Sequence, residues 1–412
     1  MSIRVIHINH SDIIGGAARA AYRIHHCLRE AGVDSLMWVN KAIAGDWTVQ
    51  GPSNKLEMLS VNLRGHVGGQ LRRLLKTANP TIHSPSIVPS QWAKRINASD
   101  ADIVHLHWVA GEMLSIADIS RIEKPIVWTL HDMWAFCGAE HYTDDYRWRD
   151  GYRRDNRPPH EAGFDLNRWT WQRKRKYWQR PMYIVGDSNW LTQCAAESLL
   201  MKDWPTQFIY YPLDLDIWQP VEKKFARALL GLPENKTLLA FGAMGGGRDS
   251  RKGFDLLLKG LAALQGLVSN MELVVFGQLA PEHLPSFGFP VRYTGHLHDN
   301  LSLRILYSAV DVMVVPSRLE AFGQTASEAH ACGTPVVAFD IGGLPDTVDH
   351  LKTGYLAKPY DAIDLAHGIQ WVIDHKDSDQ LGINARKKAE NCFAPSLVSS
   401  QYLEIYERIL IG

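Results

Sequence analysis

The sequence carries no excess of charge. Its 44 Lys and Arg residues balance 44 Asp and Glu, so no general field draws it toward nucleic acid. Cysteine is scarce: five in 412 residues (Cys27, Cys137, Cys194, Cys332, Cys392), an odd number with no CxxC pair. That pattern speaks against a disulfide framework or a cysteine zinc site and for reduced thiols in a cytosolic protein. No apolar run approaches the roughly 20 residues of a bilayer span. The opening MSIRVIHINH reads as a strand and is too short for a secretory signal, so any membrane contact is expected to be peripheral. Repeats and low-complexity tracts are also missing. With 46% hydrophobic and 21% charged residues the composition is that of a globular protein, and the length suits two domains of about 200 residues each.

What is present reads as a doubly wound α/β chain. Residues 3–8 are apolar in the manner of a buried first strand; Gly15 and Gly16 follow, then an Ala-rich helix ending near Gly32. Strand, glycine loop and helix open such a domain, and glycines there let the backbone approach a phosphate or sugar. A plain tight turn is the alternative. Two more buried strands, ADIVHLHW and PIVWTLHD, end in His107 and His131, at the carboxyl ends where ligands gather in open sheets. Asp100 and Asp102 have D-x-D spacing but precede their strand, at the wrong end for a metal site, and no other cluster has metal-ligand spacing.

Two basic stretches stand out. Residues 58–99 hold six basic side chains (Arg64, Arg72, Arg73, Lys76, Lys94, Arg95) and no acidic one. Within them Leu63, Val67 and Leu71 share a helical face, which suits either an anionic membrane surface or an ordinary helix packing its apolar side inward. Gly65, Gly68 and Gly69 weaken the helix itself. RWTWQRKRKYWQRP, at 168–181, interleaves cations with tryptophans. It reads as a helix whose tryptophans pack under loops, because the neutral chain gives nucleic acid no hold.

A second doubly wound unit starts with a strand near Thr237, followed by a glycine-rich loop containing Gly246 and Arg248, then Arg251 and Lys252 at a helix start. Cations there suit a diphosphate. Further on, VVPSRLEAFGQTASEAHACGTPVVAFDIGG (314–343) reads as strand, loop, helix, strand. Glu320 falls in the loop and Glu328 in the helix. Backbone N–H groups of Phe322, Gly323 and Gln324 at the helix start form an anion site. Ionised carboxylates beside it accept hydrogen bonds from sugar hydroxyls.

This stretch, E-x7-E preceded by Pro-Ser and followed by EAxAxGTPVV and IGG, resembles the donor-binding signature of the retaining GT-B glycosyltransferases of family GT4. TLHD followed by MWAFCGAEHY is similar to the acceptor-side loop of the family's polysaccharide transferases, and SNWL to its PSxWL segment. The resemblance implies an α/β, GT-B fold of two Rossmann-like domains with a cleft between them. Residues 1–215 would form the acceptor side, with a last helix at 396–412 packing back on it, and 236–395 would bind donor. It implies a nucleotide-diphosphate sugar as donor substrate, no cofactor, no metal, and front-face transfer with retention to a saccharide or lipid-linked saccharide. Exopolysaccharide, capsule or lipopolysaccharide assembly at the cytoplasmic face of the inner membrane is the implied setting.

The family's roles carry over residue by residue. Arg251 and Lys252 meet the leaving diphosphate, Thr325 its distal phosphate, Glu328 the ribose and Glu320 the donor sugar. His131 lies beside that sugar, and Gly15 and Gly16 face the cleft. Where relatives have the arginine of the cation pair this chain has Gly246, so Arg248 or Arg251 takes its place. The chain also lacks the cysteine pairs many relatives carry after the His131 loop, and has Tyr211-Pro212-Leu213 where an Asn-Gly turn is common. A sugar-nucleotide epimerase of the same fold and a non-catalytic glycan- or nucleotide-binding subunit are the alternatives. A nicotinamide dehydrogenase is disfavoured, because no G-x-G-x-x-G follows the first strand.

Overall fold

The computed structural model describes residues 3–242, 249–282, 285–297, 299–375 and 378–411. Packing divides the chain into two compact units, Met1–Pro212 with Ser396–Gly412, and Leu213–Pro395. In the first unit the strands are β1 (Arg4–Ser11), β2 (Asp34–Lys41), β3 (Val49–Gln50), β4 (Leu75–Lys76), β5 (Ile103–Leu106), β6 (Ile126–Leu130), β7 (Ala162–Gly163), β8 (Tyr183–Gly186) and β9 (Thr206–Phe208). Seven of them form a parallel sheet in the order β3-β2-β1-β5-β6-β8-β9, and β4 and β7 pair as a small antiparallel ribbon. Residues 5–9 of β1 are buried without alternation, as befits a parallel sheet covered on both faces. The chain winds outward from β1 on one side and from β5 on the other. The loops after these two strands therefore meet at the point where strand order reverses, the usual ligand position in such sheets.

The second unit repeats the plan with β10 (Thr237–Gly242), β11 (Met271–Phe276), β12 (Val291–Gly295), β13 (Val312–Val315), β14 (Val336–Phe339) and β15 (Gly354–Ala357) in the parallel order β12-β11-β10-β13-β14-β15. Its core joins Leu257 and Leu261 to Leu273, Val275, Val314 and Phe339, all fully buried, each contributing about 1.5–3 kcal/mol relative to exposure. Here the reversal lies between β10 and β13. A helix at Ser378–Cys392 adds to the two C-terminal helices expected from the sequence, Ala362–Asp374 and Pro395–Ile411. Asp100 and Asp102 lie before β5, and both are engaged by Arg4 at the amino end of β1.

The basic stretch forms the helix Lys55–Arg72 in spite of its glycines. Asn54 caps it by accepting from the Glu57 N–H at 2.9 Å, and Glu57 accepts from the Ser53 N–H at 2.8 Å. Its inward face is not the apolar one. Gly68 packs against Glu112, where a Cβ would come within 2.4 Å of the glutamate side chain, and Arg64 donates to the carbonyls of Val88 and Met113. The leucine stripe is left outside: Leu56, Leu59, Leu63 and Val67 are 78%, 64%, 61% and 37% exposed. At the β4–β7 ribbon Leu74 and Phe164 are exposed as well, the Phe164 N–H donating to the Leu74 carbonyl. The tryptophan-rich segment behaves as expected. In the helix Leu166–Tyr177 and just beyond it Trp171 and Trp178 are buried, and buried Lys174 donates to three carbonyls under the loops, those of Trp134, Cys137 and Gly138. Among the described residues no helix is long and apolar enough to cross a membrane.

Candidate active site

In the second unit residues 243–248, among them Gly246 and Arg248, lie outside the described residues, and the segment between β10 and the next helix is described from Asp249 on. It closes in a single 3-10 turn, Ser250–Lys252, capped by Asp249, whose carboxylate accepts from the Arg251 N–H at 3.1 Å and from its guanidinium at 2.9 Å. This turn lies on the segment after β13. The Arg318 N–H donates to the Arg251 carbonyl, and its guanidinium holds Asp255 through two 2.7 Å bonds. Gly253, at φ 66°, lets the two segments touch: a Cβ there would stand 1.8 Å from the Pro316 carbonyl oxygen. Gly253→Ala is therefore expected to destabilise this unit by several kcal/mol, from left-handed strain plus overpacking. That corresponds to a fall of about 5–10 °C in its melting temperature, read by scanning calorimetry, and an unchanged transition would contradict the close approach.

The contact places Lys252 Nζ 2.6 Å from Glu320 Oε1, which also accepts from Ser317 Oγ at 2.7 Å. Burial alone would raise the Glu320 carboxyl. Lys252 and Arg251, with the two hydrogen bonds, outweigh burial and hold it below the ordinary carboxylate range. Two glycines fix the backbone beneath it. The Gly343 N–H donates to the Glu320 carbonyl at 2.9 Å, and Cβ atoms at Gly342 and Gly343 would come 2.4 Å and 1.9 Å from the Glu320 and Ala321 carbonyl oxygens.

Gly323, at φ 95°, then starts the helix Gln324–Ala331. Phe322 turns its ring into the core against Phe393, so its backbone is what it offers a ligand. Gln324 and Thr325 are half-buried on the first turn, and Glu328 is buried, accepting from the Tyr307 hydroxyl at 3.1 Å. The structure thus joins Arg251, Lys252 and Glu320 directly and puts residues 322–325 and Glu328 on the element that follows. Ser317 and Tyr307, which support these residues, were not singled out from sequence as site residues, whereas Gly342 and Gly343 stand out there as the IGG of the signature, before another helix start.

Gly15, Gly16 and His131 belong to the first unit. Gly15, at φ 90°, begins the helix Gly16–Glu30 with open space where its Cβ would stand. Asp12 fixes the preceding loop by accepting from the N–H groups of Ile43 and Ala44. His131 follows β6 with both ring nitrogens already engaged, Nδ1 with the Tyr211 hydroxyl and Nε2 with His107 Nδ1 at 3.1 Å. Burial lowers its pKa to about 4 against the pull of Asp132, so it is a neutral imidazole. Beside it Asp132 accepts from Trp108 Nε1 at 2.8 Å and lies 2.6 Å from His141 Nδ1, and His141 Nε2 meets Ser84 Oγ at 2.8 Å. A cavity of about 10 Å³ between these side chains has room for one water. A wider concavity of about 590 Å³, against His367, Trp371 and His375, includes none of the candidate residues.

His7, His105 and His107 bring ring nitrogens within 4.8 Å of one another, but they do not make a metal site. Both nitrogens of His105 and of His107 are in hydrogen bonds, and the rings of these two are stacked 4.3 Å apart. Their lone pairs therefore do not converge on one point as a metal ion requires.

Comparison with known proteins shows what this geometry is similar to. Residues 230–388 match the family model described as "Glycosyl transferases group 1". A D-inositol 3-phosphate glycosyltransferase of Mycobacterium tuberculosis is 34% identical over 172 residues, which are 39% of this chain and 34% of that protein. The chain thus matches about a third of the length of such curated relatives. Solved structures cover far more of it. A sucrose-phosphate synthase from Thermosynechococcus elongatus is 19% identical with a TM-score of 0.66 over 99% of both chains. Anabaena Alr3699/HepE, solved in complex with UDP and glucose, is 17% identical with a TM-score of 0.64 over 98% of this chain and 100% of that one. Such low identity speaks for the fold alone. The two Rossmann-like sheets have the GT-B architecture, and residues 230–388 of the second unit are similar to the group 1 glycosyltransferases.

Proposed function

We propose that the protein is a retaining, metal-independent glycosyltransferase that moves a sugar from a nucleoside-diphosphate sugar to a saccharide or lipid-linked saccharide. The observation that carries this is the Lys252–Glu320 pair. A cation and an acceptor-only carboxylate share one spot at the strand-order reversal of the second unit, directly before the E-x7-E helix. Diphosphate and sugar hydroxyls are the ligand groups that match them. When donor binds, Lys252 and Arg251 turn to the phosphates and Glu320 accepts from the sugar hydroxyls. The N–H groups of Phe322, Gly323 and Gln324, with the Thr325 hydroxyl, take the distal phosphate, and Glu328 takes the ribose diol. As the bond from the sugar's anomeric carbon to the diphosphate oxygen breaks, negative charge grows on the leaving group and the two cations stabilise it. The departing phosphate takes the proton of the acceptor hydroxyl, which attacks from the same face, so configuration is retained and no side chain is alkylated. Gly15, Gly16 and His131 are assigned to the sugar end of the donor. The test is incubation with UDP-, GDP- and ADP-sugars and oligosaccharide acceptors. One donor should release its diphosphate with acceptor dependence, and acceptor-independent interconversion of the sugar would favour the epimerase instead.

The acceptor we propose is lipid-linked, used in cell-envelope polysaccharide assembly at the cytoplasmic membrane face. The exposed stripe Leu56, Leu59, Leu63 and Val67, flanked by exposed Lys55, Arg72, Arg73 and Lys76, suits an anionic bilayer by apolar insertion and charge. Phosphatidylglycerol vesicles should sediment the protein better than phosphatidylcholine vesicles. Leu59→Asp with Leu63→Asp should weaken that binding at least about tenfold, given the area lost from insertion. Equal sedimentation of wild type and variant would remove this face from the account.

A further inference from the structure

One face of the first sheet carries a continuous line of polar side chains. His7 of β1 is the register neighbour of His105 in β5, and Thr129 of β6 is the neighbour of Val185 in β8. Alternation along each strand then sets His107, His131 and Asp187 on the same face just past the strand ends. His7 Nδ1 lies 2.8 Å from His107 Nε2, His107 Nδ1 lies 3.1 Å from His131 Nε2, and His131 Nδ1 meets the Tyr211 hydroxyl. Tyr211 in turn donates to Asp187 Oδ2 at 2.6 Å. All five side chains are buried.

A neutral imidazole carries one ring proton and a phenol carries one, so each inner member of the line donates one bond and accepts the other. Two proton orders therefore run through the whole line. With Asp187 ionised, Tyr211 donates to it and accepts from His131 Nδ1–H. His131 Nε2 accepts from His107 Nδ1–H, and His107 Nε2 accepts from His7 Nδ1–H. With Asp187 protonated and donating, every bond reverses and all three rings carry the proton on Nε2. At the far end His7 Nε2 is buried without a partner among the described residues, so the first order leaves a lone pair unpaired there and the reversed order an N–H.

We propose that Asp187 and Tyr211 are positioning residues for His131, and that the charge on Asp187 selects the tautomer of His131, His107 and His7 together. The consequence for transfer rests on the assignment of His131 to the sugar site above; the relay itself stands on the hydrogen bonds. Its surroundings favour switching near neutrality. Burial raises Asp187 to about 7, with Asp132 adding to the rise and Tyr211 and Ser188 opposing it. Burial also keeps the three rings neutral, with His105 and His25 facing His7 and His107, and Asp132 facing His131. His105 stands outside the line, held by Tyr406 and Thr129.

The test is two-bond ¹H–¹⁵N correlation spectroscopy of ¹⁵N-histidine protein, without donor or acceptor, between pH 8.5 and 6. At pH 8.5 the three rings are expected as Nδ1–H tautomers, against the ordinary preference of imidazole side chains for Nε2–H. Lowering the pH should convert all three in one transition. Tyr211→Phe breaks the line and Asp187→Asn removes the titrating carboxyl, so each should abolish the coupled conversion; either variant alone suffices if the other fails to fold. Independent titration of the rings, one unchanging tautomer at His131, or a conversion that survives both substitutions would overturn the relay. Because no sugar is present, a protein without transferase activity still tests the relay, and a failed relay leaves the transfer reading standing.

Discussion

At pH 5 the first unit is expected to melt far below its transition at pH 7.5, while the second keeps most of its stability. Seven histidines of the first unit (His7, His10, His25, His83, His105, His107, His131) have pKa values lowered by burial, His10 and His131 to about 4 and His25 to about 3. In the unfolded chain they titrate near 6.5. As pH falls through 6.5, the unfolded state takes up protons that the folded state refuses, and stability is lost. Three carboxyls and one lysine act in the other direction. Burial raises Asp187, to about 7, and Glu112 and Glu140, and it lowers the Lys174 ammonium to about 7, so the folded state also gains protons as pH falls. The histidines outnumber these groups, so unfolding takes up protons on balance, at about 1.4 kcal/mol per pH unit for each proton in excess. A domain's whole stability is about 5–15 kcal/mol. Among its described residues the second unit has one such histidine, His330, lowered to about 4. Of the 14 tryptophans only Trp218 and Trp371 lie outside the first unit, so tryptophan fluorescence reports its melting nearly alone. Coincident loss of both units, or a first-unit transition unmoved at pH 5, would contradict the buried histidine face.

The second large effect concerns Lys252. Lys252→Ala should lower kcat by about 10²–10³, the usual cost of removing one fixed donor to charge that grows in a transition state. Donor KM should move much less, because the charge is largest as the bond breaks. The substitution also strips Glu320 of its nearest cation, so its carboxyl should titrate higher. A shift of the acidic limb of the pH profile toward neutral pH in the variant would report that. Lys252→Arg should recover only part of the rate, because a planar guanidinium does not reproduce an ammonium 2.6 Å from Glu320. Wild-type kcat in Lys252→Ala, with chemistry shown to be rate-limiting, would remove the lysine from the mechanism.

Much of this was legible in the residues. The strands from Val5, Ile103, Ile126, Leu239 and Val312 show as apolar runs because both faces of a parallel sheet are covered. The E-x7-E stretch marks its own strand, loop and helix. Other features were hidden for physical reasons. Among its described residues the helix Ser378–Cys392 buries a narrow stripe, Leu381, Ala385 and Ala389, with Gly382 against the Gly333 carbonyl, so its apolar periodicity is weak. The helix Lys55–Arg72 was legible as amphipathic, but its orientation was decided by Gly68 meeting Glu112 and by Arg64 meeting Val88 and Met113, partners in other segments of the chain. The histidine line joins β1, β5, β6 and β8 through register, which no single segment records; only the alternation of His105 and His107 hinted at a shared face. His131 was found by its place after a strand, whereas its ties to His107 and Tyr211 depend on the folded sheet.

The central claim is that the loop and helix from Glu320 to Glu328, with Lys252, hold a nucleoside diphosphate. Isothermal calorimetry with UDP, GDP and ADP on wild-type protein and Glu328→Ala tests it most directly. One of the three should bind best, and the variant should bind it about 10- to 100-fold more weakly, as expected for lost hydrogen bonds to a charged acceptor. No binding by folded wild-type protein, or equal affinity in the variant, would contradict the assignment.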